Sequence, residues 1–295
     1  MSRIRPRPIA LVFATALAAS LLASAADAQA PKRRILVTND DGAGSSALAA
    51  LVEHLAKTAE VIVVAPDQDR SFEGRSKTIP SGMLRAREVK IAGAAMAYSI
   101  EGTPVDAVQF GLVALGVDRP FDAVVAGINQ GSALGNEATS IGVVGAALEA
   151  AARGLPAIAV SQDRRAHVFD VSANLTTQLL DFWLEKGLPE GIALSVNVPG
   201  AAADRPRGVV VARLGQPEYV VGGFHKVESS DPKQLWRLQW DKVRRPERET
   251  DLDWYQRGEI TVTPLRWDNS ATDVVPTLTE WAIKAPARDT AAKAP

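Results

Sequence analysis

Cysteine is absent from the 295 residues. That excludes disulfides, thiolate catalysis, cysteine metal ligands and lipid attachment to a cysteine. Histidine occurs only at positions 54, 167 and 225. No two of them have a metal-ligand spacing such as His-x-x-x-His, so each reads as structural. The Gly-x-Ser-x-Gly nucleophile elbow is missing, which argues against an α/β-hydrolase. Charge of one sign is also missing. Net charge is −1, and −3 once the first thirty residues, with three Arg and one Asp, are set aside. This mild acidity argues against a nucleic-acid polymer as partner.

Long apolar runs are lacking everywhere except at the start. Arg3, Arg5 and Arg7 precede an uncharged stretch from Ile9 to Ala26, followed by Ala28-Gln29-Ala30. Basic segment, apolar segment and small-x-small triplet describe a secretory signal peptide over residues 1–30. The remaining chain is expected to be exported, periplasmic or secreted, with no membrane contact after processing. Residues 286–295, rich in Ala and Pro, read as a disordered tail.

What is present is a repeated alternation. Ile35-Leu-Val is a β-type run, followed by a polar loop. Ala47, Leu48, Leu51, Val52 and Leu55 then recur at helical spacing, and Val61 to Ala65 is a second apolar strand. Strand-helix-strand order implies parallel pairing. The theme returns in the strands Ala123–Ala126, Ala157–Val160 and Ala193–Val198 and the helices Gly142–Ala152 and Val171–Leu184. These patterns predict an α/β fold, a Rossmann-like, doubly wound, mostly parallel sheet over residues 31–214. From 215 to 285 Trp, Arg and Lys become frequent. Gln234 to Trp240 alternates with period two, predicting a half-exposed antiparallel strand. Glu259–Thr263 reads as another strand and Pro276–Ile283 as a final helix. The segment is expected to be an antiparallel extension that completes the fold and carries oligomer contacts.

In open α/β sheets, ligands bind beyond the carboxyl ends of the strands. The first such loop is Asn39-Asp40-Asp41-Gly42. Two adjacent carboxylates stay ionised together most easily beside a cation, and oxygen ligands suit Mg, Mn or Ca. The alternative is a polar turn with an Asp capping the next helix. The second loop, Pro66 to Thr78, contains Ser71, a neutral oxygen donor, and Arg70, Arg75 and Lys77, which could attract phosphate. The third, from Gly127, offers the Asn129 carbonyl oxygen and amides at Gly131, Gly135 and Gly142, near a helix start that favours anions. Asp106, just after Pro104, lies at the start of a different helix and is expected to favour that helix's dipole.

These loops, in this order, resemble the SurE (survival protein E) nucleotidase family. Arg34-Ile-Leu-Val-Thr-Asn-Asp-Asp-Gly42 is similar to its opening, and Ala65-Pro-Asp-Gln-Asp-Arg-Ser71 to its second loop. Gly102-Thr-Pro-Val-Asp106 and Gly127-Ile-Asn129 resemble two more motifs, with weaker matches at Asn197-Val-Pro199 and Val262-Thr-Pro-Leu265. The resemblance implies one divalent metal ion (Mg, Mn or Ca) on Asp40, Asp41, Ser71 and Asn129, with Asp40 and Asp41 catalytic. It implies phosphate contacts from Asn39, Gly131, Gly135, Ser140 and Gly142. It implies hydrolysis of nucleoside 5′- and 3′-monophosphates, broader phosphatase activity, and a homodimer or homotetramer.

One departure stands out. The family's phosphate loop has an Asn before its second Gly, then Tyr-Ser-Gly-Thr. Here those positions are Ala133 and Ser140-Ile141-Gly142-Val143. Each lost hydrogen bond to a charged group is worth about 1.5–3 kcal/mol. Thr139 and Ser140 could substitute in part. A second reading is therefore a metal- or nucleotide-binding protein with weakened catalysis. A third, a dinucleotide-dependent oxidoreductase, rests on Gly42-Ala-Gly44-Ser-Ser-Ala47; the acids before its glycines would repel a pyrophosphate.

Overall fold

In the computed structural model, residues 32–78, 82–205, 207–230 and 232–281 are described. The expected leader, the tail from 286 and the last residues of the expected final helix lie outside them.

The first βαβ unit follows directly from the apolar spacing. Strand β1 (Arg33–Thr38) leads through the acidic turn to helix α1 (Ser46–Leu55). Ser45 caps α1, its side chain accepting the Leu48 amide. Strand β2 (Ala59–Pro66) then pairs with β1 in parallel. Two short strands, β3 (Ala86–Glu88) and β4 (Met96–Ile100), extend that edge. Helix α2 (Pro104–Phe110) runs into one π-helical turn at Gly111–Leu115. Then come β5 (Ala123–Gln130), a 3-10 turn at Gly135–Ser140, and α3 (Gly142–Ala151). Strand β6 (Ala157–Gln162), α4 (Asp170–Lys186) and β7 (Ile192–Val198) follow.

Side chains alternate between the two faces of the sheet, as strand geometry requires. Ile35 and Val37 of β1 face one core, with Leu48, Leu51, Leu180 and Trp183 from α1 and α4. Leu36, between them, faces the other, with Val108 of α2 and Val144 and Leu148 of α3. Because both faces are covered, the strands read as continuous apolar runs rather than alternating ones.

The later part of the chain does not sit apart. After α5 (Gly200–Asp204) and the short β8 (Val209–Val211), a hairpin forms from β9 (Tyr219–Ser230) and β10 (Lys233–Lys242). Helix α6 (Asp251–Gln256) leads to β11 (Ile260–Arg266), and α7 (Val275–Glu280) follows. Strand β11 enters the main sheet between β7 and β8, antiparallel to the former and parallel to the latter. The nine-stranded order is β3-β4-β2-β1-β5-β6-β7-β11-β8. The fold is thus the mostly parallel α/β sheet expected, with antiparallel pairing of β3 with β4, of β11 with β7 and in the hairpin.

The hairpin departs from the expectation in one respect. Strand β10 is exposed along nearly its whole length, not half-buried. Its period-two pattern sorts two solvent-facing sides, because among the described residues no layer covers either one. Among the described residues, no helix is long and apolar enough to cross a membrane.

Candidate metal and phosphate site

The acidic turn sits at the carboxyl end of β1, between β2 and β5. Gly42 takes φ +97°, and a Cβ there would lie 3.1 Å from a Gln68 backbone carbon. Only glycine accepts that turn easily. Asn39 pins it, its Nδ2 donating to the Gly42 carbonyl at 2.9 Å.

Asp40 is completely buried. Its Oδ2 accepts the Val143 amide at 3.1 Å. Its Oδ1 is buried with no partner, and so is Asn39 Oδ1. Burial, and then the Asp41 charge, push the Asp40 carboxyl up to about 8 despite the Val143 amide. Asp41 is half-buried, and its Oδ2 accepts the Gln130 amide at 3.0 Å. Burial also raises the Asp41 carboxyl, helped by the Asp69 charge and opposed by the Gln130 amide and Arg164. A buried carboxylate oxygen without a donor demands either a proton or a cation.

The second loop folds over this turn. The Arg70 amide donates to the Asp40 carbonyl at 2.7 Å, and the Gly142 amide to the Ser71 carbonyl at 2.9 Å. Ser71 is oriented by Asp69, whose Oδ1 accepts its amide at 2.9 Å and its hydroxyl at 2.6 Å. That leaves the Ser71 oxygen lone pairs uncommitted. Asp106 ties the loop to α2. Besides closing a capping box with Thr103, its Oδ2 accepts the Thr78 amide at 3.0 Å and hydroxyl at 2.6 Å. It therefore does more than serve the helix end.

Asn129 lies inside β5, opposite Ser161 of β6. The strand extends to Gln130, so Gly127 to Asn129 is strand, interrupted by a register shift, rather than loop. Asn129 Nδ2 faces Ser161 Oγ at 3.3 Å and the Gly131 carbonyl at 3.4 Å. Asn39, Asp40, Asp41, Ser71, Asn129 and Gly142 are thus joined through direct contacts of their own or their neighbours' backbone. Among the described residues, no three His, Cys, Asp or Glu side chains form a metal cluster. The donors here are two acids, a hydroxyl and an amide.

The expected phosphate contacts fare differently. The Gly135 amide donates to Asp251 Oδ2 at 2.7 Å. A Cβ on Gly135 would lie 2.1 Å from the Gln216 carbonyl oxygen, so that glycine is there for packing. Asn197 takes the Ala133 amide at 2.7 Å. The Gly142 and Val143 amides are held by Ser71 and Asp40, as described. A Cβ on Gly142 would sit 2.7 Å from the Asp40 Cβ, so this glycine lets α3 approach the acid. Of the five residues expected at the phosphate, Gly135 and Gly142 therefore offer no free amide. Ser140 is exposed at the end of the 3-10 turn. The three basic side chains are also engaged. Arg70 pairs with Glu73 at 2.8 Å, Lys77 with Glu149 at 3.3 Å, and Arg75 donates to the Trp267 carbonyl at 2.9 Å.

Two open surface cavities, of about 670 and 430 Å³, lie at the amino ends of β1 and β2 around Lys32, Arg33 and Glu60. They are at the opposite end of the strands from the acid pair.

A family model described as survival protein SurE matches residues 35–220. The chain belongs to the SurE family. It is similar to the 5′-nucleotidase SurE of Methanocella arvoryzae, 39% identical over 253 residues, covering 81% of this chain and 93% of that protein. The 5′-nucleotidase SurE of Geobacter sulfurreducens is 37% identical over 253 residues, covering 85% and 94%. The crystal structure of SurE protein from Aquifex aeolicus matches with a TM-score of 0.74 at 30% identity, covering 85% of this chain and all of that one.

Set against the SurE pattern, the three departures are built into the core. Ala133 and Val143 are fully buried, and Ile141 nearly so. They pack with Val108 and Leu148. Residues that sequence reasoning missed are Asp69, Arg164 and Asp251. Asp69 and Arg164 sit in loops just beyond β2 and β6, where position relative to the sheet was the available signal. Asp251 gave none, because its partners, the amides of Gly135, Gly215 and Leu252, are assembled only by the fold.

Proposed function

We propose that this chain is a metal-dependent phosphomonoesterase that hydrolyses nucleoside 5′- and 3′-monophosphates and tolerates other phosphate esters. The observation that carries the reading is Asp40 Oδ1, buried without a donor beside a second carboxyl. The donor set fits a hard divalent cation, Mg, Mn or Ca. Asp40, Asp41, Ser71 Oγ and Asn129 Oδ1 would hold it. Such an ion supplies positive charge that acidifies water and polarises a phosphoryl oxygen.

The chain's own residues do the rest. The Val143 and Gln130 amides each fix one carboxylate oxygen, so the acids need no reorganisation. Asp41, the less buried of the pair, accepts the proton from the attacking water. The amino end of α3 biases the site toward an anion. The family name of the similar proteins, 5′-nucleotidase, supports the substrate class.

The test is phosphate release from AMP, GMP and an aryl phosphate with Mn²⁺ or Mg²⁺, before and after chelation. Chelation should abolish turnover and added metal restore it. Full activity in Asp41→Asn would refute the metal assignment. The buried Ala133, Ile141 and Val143 favour a second reading, tight binding with weak turnover. Saturable Mn²⁺ and AMP binding without phosphate release would select it.

The same proposal treats residues 1–30 as a cleaved export leader and 31–214 as the catalytic core. It takes 215–285 as an extension with a subunit contact. The hairpin supports the contact, exposing Phe224, Trp236 and Trp240 to 62%, 49% and 52%. Light scattering should give a dimer or tetramer, and the amino terminus of the exported protein should begin near residue 31.

A further inference from the structure

We propose that the Arg164 guanidinium binds the substrate's phosphoryl oxygens, replacing the donors that Ala133, Ile141 and Val143 do not provide. This rests on the phosphomonoester reading of the site.

The inference starts from a shortage. The amides of Ala133, Gly135, Gly142 and Val143 already bond Asn197, Asp251, Ser71 and Asp40. Arg70, Arg75 and Lys77 are held by Glu73, Trp267 and Glu149. A doubly charged phosphate group needs donors from somewhere else.

Among the described residues, Arg164 is an uncommitted cation at this edge. It lies two residues beyond β6, the strand that pairs with the Asn129 segment of β5. The space a Cβ on Gly131 would enter lies 3.5 Å from Asn129 Nδ2 and 3.9 Å from Arg164 Nη2. The guanidinium thus reaches over Gly131 beside a proposed metal ligand. Its charge is also felt at Asp41. Among the described residues, Arg164 is exposed and makes no hydrogen bond or ion pair. Its neighbour Arg165 does the opposite. Nε and Nη2 of Arg165 clasp the two oxygens of Asp163 at 3.0 and 2.6 Å. Adjacent arginines are therefore divided, one fixing the loop and one free. A planar fork with five donors suits the oxygens of a phosphate.

The experiment compares full-length wild type with Arg164→Ala, Arg164→Lys and the control Arg165→Ala, using AMP and Mn²⁺. In Arg164→Ala, KM for AMP and Ki for inorganic phosphate should both rise at least about tenfold, the loss of one charge-assisted hydrogen bond. Lys should recover part of that, and Arg165→Ala should stay within about twofold. Calorimetric Mn²⁺ affinity should not weaken in Arg164→Ala, since a nearby positive charge has been removed. Unchanged KM and Ki would overturn the proposal, as would a parallel loss of Mn²⁺ affinity. If wild type turns nothing over, inorganic phosphate is titrated into the Mn²⁺-loaded proteins instead. Weaker binding by Arg164→Ala then upholds this inference while the phosphatase reading fails. Equal binding, or none by wild type, overturns it.

Discussion

The turn at Asn39 to Gly42 and the loop from Gly131 to Val143 face each other across the carboxyl ends of β1 and β5, yet they are built on opposite plans. The turn buries polar atoms and leaves two of them, Asn39 Oδ1 and Asp40 Oδ1, without partners. The loop spends its amides on Asp40, Ser71, Asn197 and Asp251 and buries apolar side chains where its family carries hydroxyls and an amide. On the proposed reading, the half that would hold a cation keeps unpartnered polar atoms while the half that would hold an anion becomes part of the core. The cation-holding and anion-holding halves of one cleft are, on that reading, built separately.

The comparison breaks most visibly at Asp40. Asp40→Ala should lower kcat/KM for AMP on the order of a thousandfold and abolish Mn²⁺ binding by calorimetry. Yet it should fold, because it removes a poorly satisfied buried acid. On the loop side the dominant effect is stability. Asp251→Ala strands the amides of Gly135, Gly215 and Leu252. Urea titration should show a loss of about 3 kcal/mol, with Asp251→Asn losing less.

A pH series sharpens the contrast. The Asp40 carboxyl stays protonated in the fold up to about 8, whereas 3.8 is its ordinary value. Between those values the unfolded chain releases a proton that the folded chain keeps. Stability of the metal-free protein should therefore fall as pH rises through that window. Thermal melts after chelation should show it. Mn²⁺ should flatten the trend, and so should Asp40→Asn. The smallest expected effect comes from rebuilding the anion half. Val143→Thr should cost about 1 kcal/mol of stability, measured by urea titration, and improve kcat/KM a few-fold at most. A larger gain would mean the loop is closer to its family's phosphate cradle than its hydrogen bonds indicate.

The parallel sheet was legible because strands covered on both faces must be continuously apolar, as Val61 to Ala65 and Ala123 to Ala126 are. The acidic turn was legible because paired carboxylates at a strand end have few uses. The short β4 and the helix α6 were not, since Met96–Ile100 and Asp251–Gln256 are brief and acquire meaning only from neighbours. The state of the phosphate loop was hidden for a related reason. A glycine-rich stretch signals free amides, but whether they stay free depends on Asp251 and Ser71, distant in sequence from Gly135 and, for Ser71, from Gly142. Arg164 and Arg165 look alike in sequence, and only Asp163 separates their roles.

Strand β11 follows β7 and β8 in the chain, yet it occupies an interior position, with β7 on one side and β8 on the other. A growing chain that has reached β8 cannot seat that strand, because its partner does not yet exist. It also presents β7, which carries Ile192, Leu194, Val196 and Val198, with one edge unpaired. Sheet completion must therefore wait until Arg266 has emerged, a long-range closure of the kind that slows folding. Cutting the chain after Leu214 should release a sticky intermediate rather than a smaller working enzyme.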